Sequence, residues 1–254
     1  MPATGGGSAA SARVRPRRRA ESGRIGTVRT DGEAGTLPLD IPAAAPARRG
    51  GADAAVLGCG KAALRALGLP GGGTGCAGLR VFGVSAWLFH RPDRAELRRR
   101  REAGQPPILR LGALEALMGL PLGEPVPEAS LAGRERALLR TAPPGAVARD
   151  AGRVVRLAAV PLRVELAVAT GPTWRAALAR AARFAPFCAR VALADRPPRD
   201  AASAAAEADY YGVGLAVRDG SETVPLVPPE PFRPRRHSAL KWKFAERVLA
   251  AEER

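Results

Sequence analysis

The chain has 254 residues, with 40 Lys and Arg against 24 Asp and Glu, for a net charge of +16 at neutral pH. Hydrophobic residues make up 46% and aromatic ones only 4%, so a core is expected, built from Ala, Val and Leu rather than large rings. No apolar run has the length of a membrane span, and Met1 to Arg19 carries arginines without an apolar segment, so the expectation is a cytoplasmic protein with neither a membrane span nor a secretory leader.

Residues 1–50 read as a disordered basic tail of Gly, Ala, Pro and Arg. Its run Arg13-Val14-Arg15-Pro16-Arg17-Arg18-Arg19 is either an arm that touches phosphate or a solvated tail. Residues 51–145 read as a mainly helical, partly irregular N-terminal region. A helix is expected over Ala54–Leu69, stopped by Pro70-Gly71-Gly72-Gly73. Val81–Phe89 is a short apolar segment of either type, Arg91–Glu102 a charged helix, and Leu109–Met118 a short helical stretch. Leu131–Arg140 has the pattern of an amphipathic helix ending before Pro143-Pro144. The stretch Gly58-Cys59-Gly60-Lys61-Ala62 lacks both the glycine spacing of a phosphate loop and the Ser or Thr that must follow the lysine, and is rejected as one.

Residues 146–254 read as an α/β domain. Arg153–Ala159 and Leu162–Ala169 are β-rich runs separated by Val160-Pro161, most simply an antiparallel pair. Thr173 is placed to cap a helix to about Ala185, with Trp174, Ala177, Leu178, Ala181 and Ala185 on one face and Arg175, Arg180 and Arg183 on the other. A strand Cys188–Ala194 follows, then a helix Asp200–Tyr211 stopped by Gly212. Val213–Arg218 is the next strand, turning at Asp219-Gly220 to pair with Glu222–Val227, and Ser238 caps a last amphipathic helix to about Glu252. This order predicts a mixed β-sheet flanked by helices.

The charge is clustered. Residues 1–50 carry nine Arg and four acids, residues 91–101 six Arg and two acids, and residues 232–254 seven cations and three acids, together 13 of the 16 net charges. Such clusters favour a polyanion, nucleic acid above all, through phosphate contacts and counterion release; solvated basic loops are the alternative. Cys59, Cys76, Cys188, His90 and His237 fall in no zinc-ligand spacing, so no zinc site is expected, and an odd count of three cysteines suits a reducing compartment. Lys241-Trp242-Lys243 is either an aromatic between phosphate-binding cations or a helix with one core Trp. Trp174 is expected to be a core anchor, and His237 a surface residue beside Arg235 and Arg236.

The run Val164-Glu165-Leu166-Ala167-Val168, the segment Thr173-Trp174-Arg175-Ala176-Ala177-Leu178-Ala179-Arg180-Ala181, the strand Cys188–Ala194 and the later Tyr211-Gly212-Val213-Gly214-Leu215-Ala216-Val217 together resemble the PD-(D/E)xK nuclease-like superfamily, of restriction-endonuclease-like fold. The resemblance covers about 150 to 254. It implies phosphodiester hydrolysis by two carboxylates on adjacent strands that hold Mg²⁺, with a lysine two residues beyond the second carboxylate to orient water. Glu165 falls at the second carboxylate, but Ala167 occupies the lysine position, Arg180 replaces a helix glutamine, and the nearest candidate for the first carboxylate is Asp150. Glu165 paired with Arg163 or Arg175, rather than with a metal, is the structural alternative.

These readings lead to a nucleic-acid-binding protein, of DNA more than RNA, with a degenerate nuclease-like domain that has lost efficient catalysis. Arg175, Arg180, Arg183, Arg235, Arg236, Lys241 and Lys243 are its candidate nucleic-acid contacts. One alternative is an active Mg²⁺-dependent endonuclease using Glu165 with Asp150. Another is a protein-interaction module with a basic docking surface.

Overall fold

The computed structural model describes residues 53–234 and 236–253, and the basic tail expected over residues 1–50 lies outside them, as does Arg235. Helix α1 (Ala54–Ala66) leads into strands β1 (Gly75–Val81) and β2 (Val84–Pro92). After these come α2 (Arg94–Glu102), α3 (Leu111–Met118), β3 (Pro125–Pro127), α4 (Gly133–Arg140), β4 (Val147–Asp150) and β5 (Arg153–Arg156). The chain then alternates through β6 (Leu162–Gly171), α5 (Trp174–Ala182), β7 (Ala189–Ala194), α6 (Ala201–Tyr210), β8 (Gly214–Asp219), β9 (Glu222–Val227) and α7 (Ala239–Glu252). Six strands form one mixed sheet in the order β1-β2-β6-β7-β8-β9, in which β6, β7 and β8 run parallel while β1–β2, β2–β6 and β8–β9 pair antiparallel. A second, three-stranded sheet has the order β3-β5-β4. No helix among the described residues is long and apolar enough to cross a membrane.

Local chemistry explains most of the boundaries. Side-chain oxygens of Asp53, Asp93, Thr173, Asp200 and Ser238 accept from backbone N–H groups in the first turns of α1, α2, α5, α6 and α7, each cap contributing about 1 kcal/mol. Val81 pairs with Val84 across a two-residue turn in which Phe82 (φ 53°) and Gly83 (φ 76°) both take positive φ, as a type I′ hairpin requires. That backbone costs Phe82 about 1–2 kcal/mol. Its ring offsets the cost by stacking on Phe187 at 4.9 Å and meeting Phe184 at 5.9 Å and Phe244 at 6.1 Å.

The sheet is covered on both faces. Against one lie Trp174 and Leu178 of α5, Ala204 and Ala208 of α6, and Phe244 and Val248 of α7, in the largest core. Against the other lies α1, whose Val56 and Leu64 pack on Phe89, Leu166, Val168 and Leu193. Gly60 of α1 sits directly on the Phe89 ring, with no room for a Cβ, so the glycines of the rejected phosphate-loop stretch belong to a helix packed on a sheet. A third core joins Leu114 and Leu117 of α3, Leu139 of α4, Val154 of β5 and Trp242 of α7.

Helix α7 ties these parts together through an ionic network. Glu246, fully buried, accepts both guanidinium nitrogens of Arg100 at 2.8 and 2.7 Å, the Trp242 indole N–H at 2.7 Å and the Ile108 N–H at 3.0 Å. Arg100 also donates to Glu96, which in turn accepts from Arg99 and from the Ala159 N–H. Every carboxylate oxygen is thus matched to a donor, the condition under which buried charges are tolerated.

Two expectations are corrected here. The runs Arg153–Ala159 and Leu162–Ala169 do not pair: β5 joins the small sheet and β6 the large one. A two-residue hairpin needs positive φ that β-branched Val160 and ring-locked Pro161 resist, and the Leu157 and Ala158 N–H groups instead donate to the Ala146 carbonyl. The region 51–145, expected to be mainly helical, contributes β1 and β2 to the large sheet, where β2 pairs with β6.

Candidate nucleic-acid interface

Strand β6 lies between β2 and β7, and its register against β2 slips where the consecutive residues Phe89 and His90 pair with Leu166 and Val164. Glu165 is thus the extra residue of a β-bulge. The bulge changes the facing of the strand: Leu162 and Val164 belong to the α5–α7 core, and so do Ala167 and Ala169, while Leu166 and Val168 face α1. The Glu165 side chain is buried, with Arg163 Nε 3.3 Å from one carboxylate oxygen and Arg91 Nε 3.9 Å from the other. Of the two partners weighed from the sequence, Arg163 is present; Arg175 instead lies over the Trp174 ring at 4.2 Å. Ala167 is fully buried in the apolar core.

Asp150 ends β4 in the small sheet, exposed and opposite Arg153. The structure therefore puts Asp150 and Glu165 on different sheets. Among the described residues no group of three or more His, Cys, Asp or Glu is placed to hold a metal ion. His90, beside Val164 in the ladder, is buried with its Nε2 2.7 Å from Glu252 Oε1, and its Nδ1 has no hydrogen-bond partner among the described residues.

A groove of about 1020 Å³ opens where β7 begins, between the end of α5 and the start of α7. Arg190, Arg233, Arg236 and Lys241 line it, with Phe232 and one acid, Glu230. Arg190 enters from β7, its Nη2 donating to the Tyr211 carbonyl at 2.8 Å. Burial lowers its pKa below the ordinary guanidinium value, against the opposing effect of Cys188 and Glu230, but a guanidinium remains a cation at neutral pH. Lys241, in the first turn of α7, donates to the Arg236 carbonyl at 3.0 Å and holds its ammonium 5.0 Å from the Phe232 ring centroid. Arg233 and Arg236 are exposed. Because Leu166 pairs with Ala189, Glu165 precedes the pair at which β7 meets β6, and Cys188 at that point lines the groove. Four cations against one acid give the groove a net positive lining.

The other sequence candidates divide. Arg175, Arg180 and Arg183 are on the exposed face of α5 as expected, but none lines the groove, and Arg180 donates to the Thr170 carbonyl at 2.6 Å. Lys243, also named from the sequence, is buried in α7. Trp242 is a core residue, with Arg156 4.7 Å above its ring, and Trp174 is likewise buried. His237 is exposed. The sequence reading missed Arg190 and Arg233. Arg190 stands in an apolar strand, and Arg233 is isolated between prolines in the connector; Arg236, Lys241 and the positive balance of residues 232–254 pointed to this end of the molecule.

Burial pushes the thiols up, Cys59 to about 12 and Cys76 to about 11, and raises Cys188 further still, so none is a nucleophile at neutral pH. Comparison with known protein families, with curated proteins and with solved structures finds no match for the chain.

Proposed function

We propose that this protein binds nucleic acid through the Arg190–Lys241 groove and that its nuclease-like scaffold does not cleave efficiently. The observation that carries the proposal is the groove itself: Arg190, Arg233, Arg236 and Lys241 line one concavity with a single acid, Glu230. Backbone phosphates are the abundant anions that fit such a lining, and each exposed cation displaces a condensed counterion. The restriction-endonuclease-like reading is supported by a mixed sheet flanked by helices, with Glu165 on an interior strand next to the groove. The loss of cleavage is supported by the surroundings of Glu165. Arg163 and Arg91 supply its countercharge, and Ala167 offers neither a proton nor a positive charge to an attacking water.

Fluorescence anisotropy with labelled DNA tests the binding. Affinity is expected to fall steeply with salt, and Arg236→Ala with Lys241→Ala is expected to weaken binding and flatten the salt dependence; salt-independent binding, or none at low salt, overturns the reading. Supercoiled plasmid with Mg²⁺ or Mn²⁺ tests cleavage. Nicking by the wild type that Glu165→Ala abolishes would show that catalysis survives. Capture of an acidic protein that persists after nuclease treatment, with no DNA binding, would assign the surface to a protein partner.

A further inference from the structure

We infer that the nucleic acid taken by this groove is single-stranded, with its bases stacking on the exposed pair Tyr210–Tyr211. The inference rests on the nucleic-acid reading above and names its substrate class.

The chain is poor in aromatics and hides nearly all of them. Every Phe and Trp is buried or half-buried. The two tyrosines, the only ones in the chain, are the opposite: Tyr210 is 82% exposed and Tyr211 55%. They adjoin at the end of α6 with ring centroids 5.1 Å apart and planes 80° apart, an edge-to-face pair rather than a stacked one. Neither tyrosine belongs to any of the three cores. Fold stability does not require two large rings in water at this point.

Arg190 connects the pair to the groove. The same guanidinium that lines the groove donates to the Tyr211 carbonyl at 2.8 Å and approaches the Gly212 carbonyl at 3.4 Å. Gly212, with φ 62°, turns the chain after α6, and its Cα faces the Glu230 side chain, another lining residue. The backbone that carries the two exposed rings is therefore tied to a cation of the groove at the Tyr211 carbonyl. Single strands are bound with phosphates tracking a positive groove while bases, splayed from their neighbours, stack on aromatic faces. A duplex has its bases stacked and paired inside and offers such rings nothing. Phe232, half-buried under Lys241, puts an aromatic ring in the groove lining itself. An acidic protein would satisfy the cations but has no planar bases for the rings, so it is the weaker fit.

The test uses the full chain, a labelled single strand of mixed sequence and the matching duplex. The wild type is expected to prefer the single strand. Tyr210→Ala with Tyr211→Ala is expected to lower single-strand affinity roughly 5- to 100-fold, leave duplex affinity unchanged and leave the salt slope intact. Tyr210→Phe with Tyr211→Phe keeps the ring faces and is expected to keep the preference. Arg236→Ala with Lys241→Ala is expected to weaken both forms and reduce the slope, since each phosphate contact on a single strand contributes about 0.7 to it. Salt-dependent binding without single-strand preference, or alanine variants that bind like the wild type, overturns the inference and leaves the nucleic-acid reading standing. No salt-dependent binding to either form overturns both.

Discussion

Glu96 is a buried carboxylate whose contribution to stability depends on pH. Burial raises its pKa, but the Arg99 and Arg100 guanidinium groups and the Ala159 N–H outweigh burial, so the carboxyl ionises below its ordinary value of 4.5. Between that lowered folded value and 4.5 the unfolded chain binds the proton and the folded chain does not, so stability rises with pH in that window. The contribution is complete above 4.5 and is lost as pH falls through the folded value. Urea titrations across this range are expected to show stability falling with acid, and Glu96→Gln is expected to flatten that part of the profile while lowering stability at pH 7. An unchanged acid slope in the variant would transfer the effect to other groups. The pairing of Glu165 with Arg163 belongs to the same scale, and its surface partner makes it worth much less, at most about 1 kcal/mol.

At the level of elements, close approach decides which substitutions the fold accepts. Gly60→Ala is expected to destabilise by about 1–3 kcal/mol because the new methyl meets the Phe89 ring and helix α1 must lift from the sheet, although alanine is the better helix former. Gly58→Ala, on the same helix with open space around it, is the control and is expected to be neutral or stabilising by thermal unfolding. Helix α5 was legible to the residue at its start: Thr173 caps it, and Trp174, Ala177, Leu178 and Ala181 are buried where the 3.6-residue period put them. Its end was not, since α5 stops at Ala182 and Ala185 is exposed, lining the groove. Strands β7, β8 and β9 and the Gly212 stop were also readable, because branched runs between turn residues say strand without reference to the rest of the chain. Strand β1 was not, because Gly75 and Gly78 break its pattern; Gly78 faces the Trp87 ring of β2, a contact that local sequence does not announce. The candidate site was legible only in part. Glu165 and the cations near the last helix were found, but Arg190 comes to the groove, and to the Tyr211 carbonyl, through tertiary packing.

Across the whole molecule, α7 is the element that makes one unit of two sheets. Trp242 lies in the core of the small sheet, Phe244 and Val248 in the core of the large one, and Glu246 between them holds Arg100. Unfolding is therefore expected to be a single cooperative transition, with the small sheet unable to melt first without exposing Glu246 and Trp242. Calorimetry that resolves two transitions would contradict this coupling. The large sheet is bounded at one edge by β9, where Pro225 sits opposite Ala216. Proline offers no N–H, so another extended chain laid along that edge meets an interrupted set of donors. Crowded copies of this protein thus lack a continuous template for fibre growth on that side.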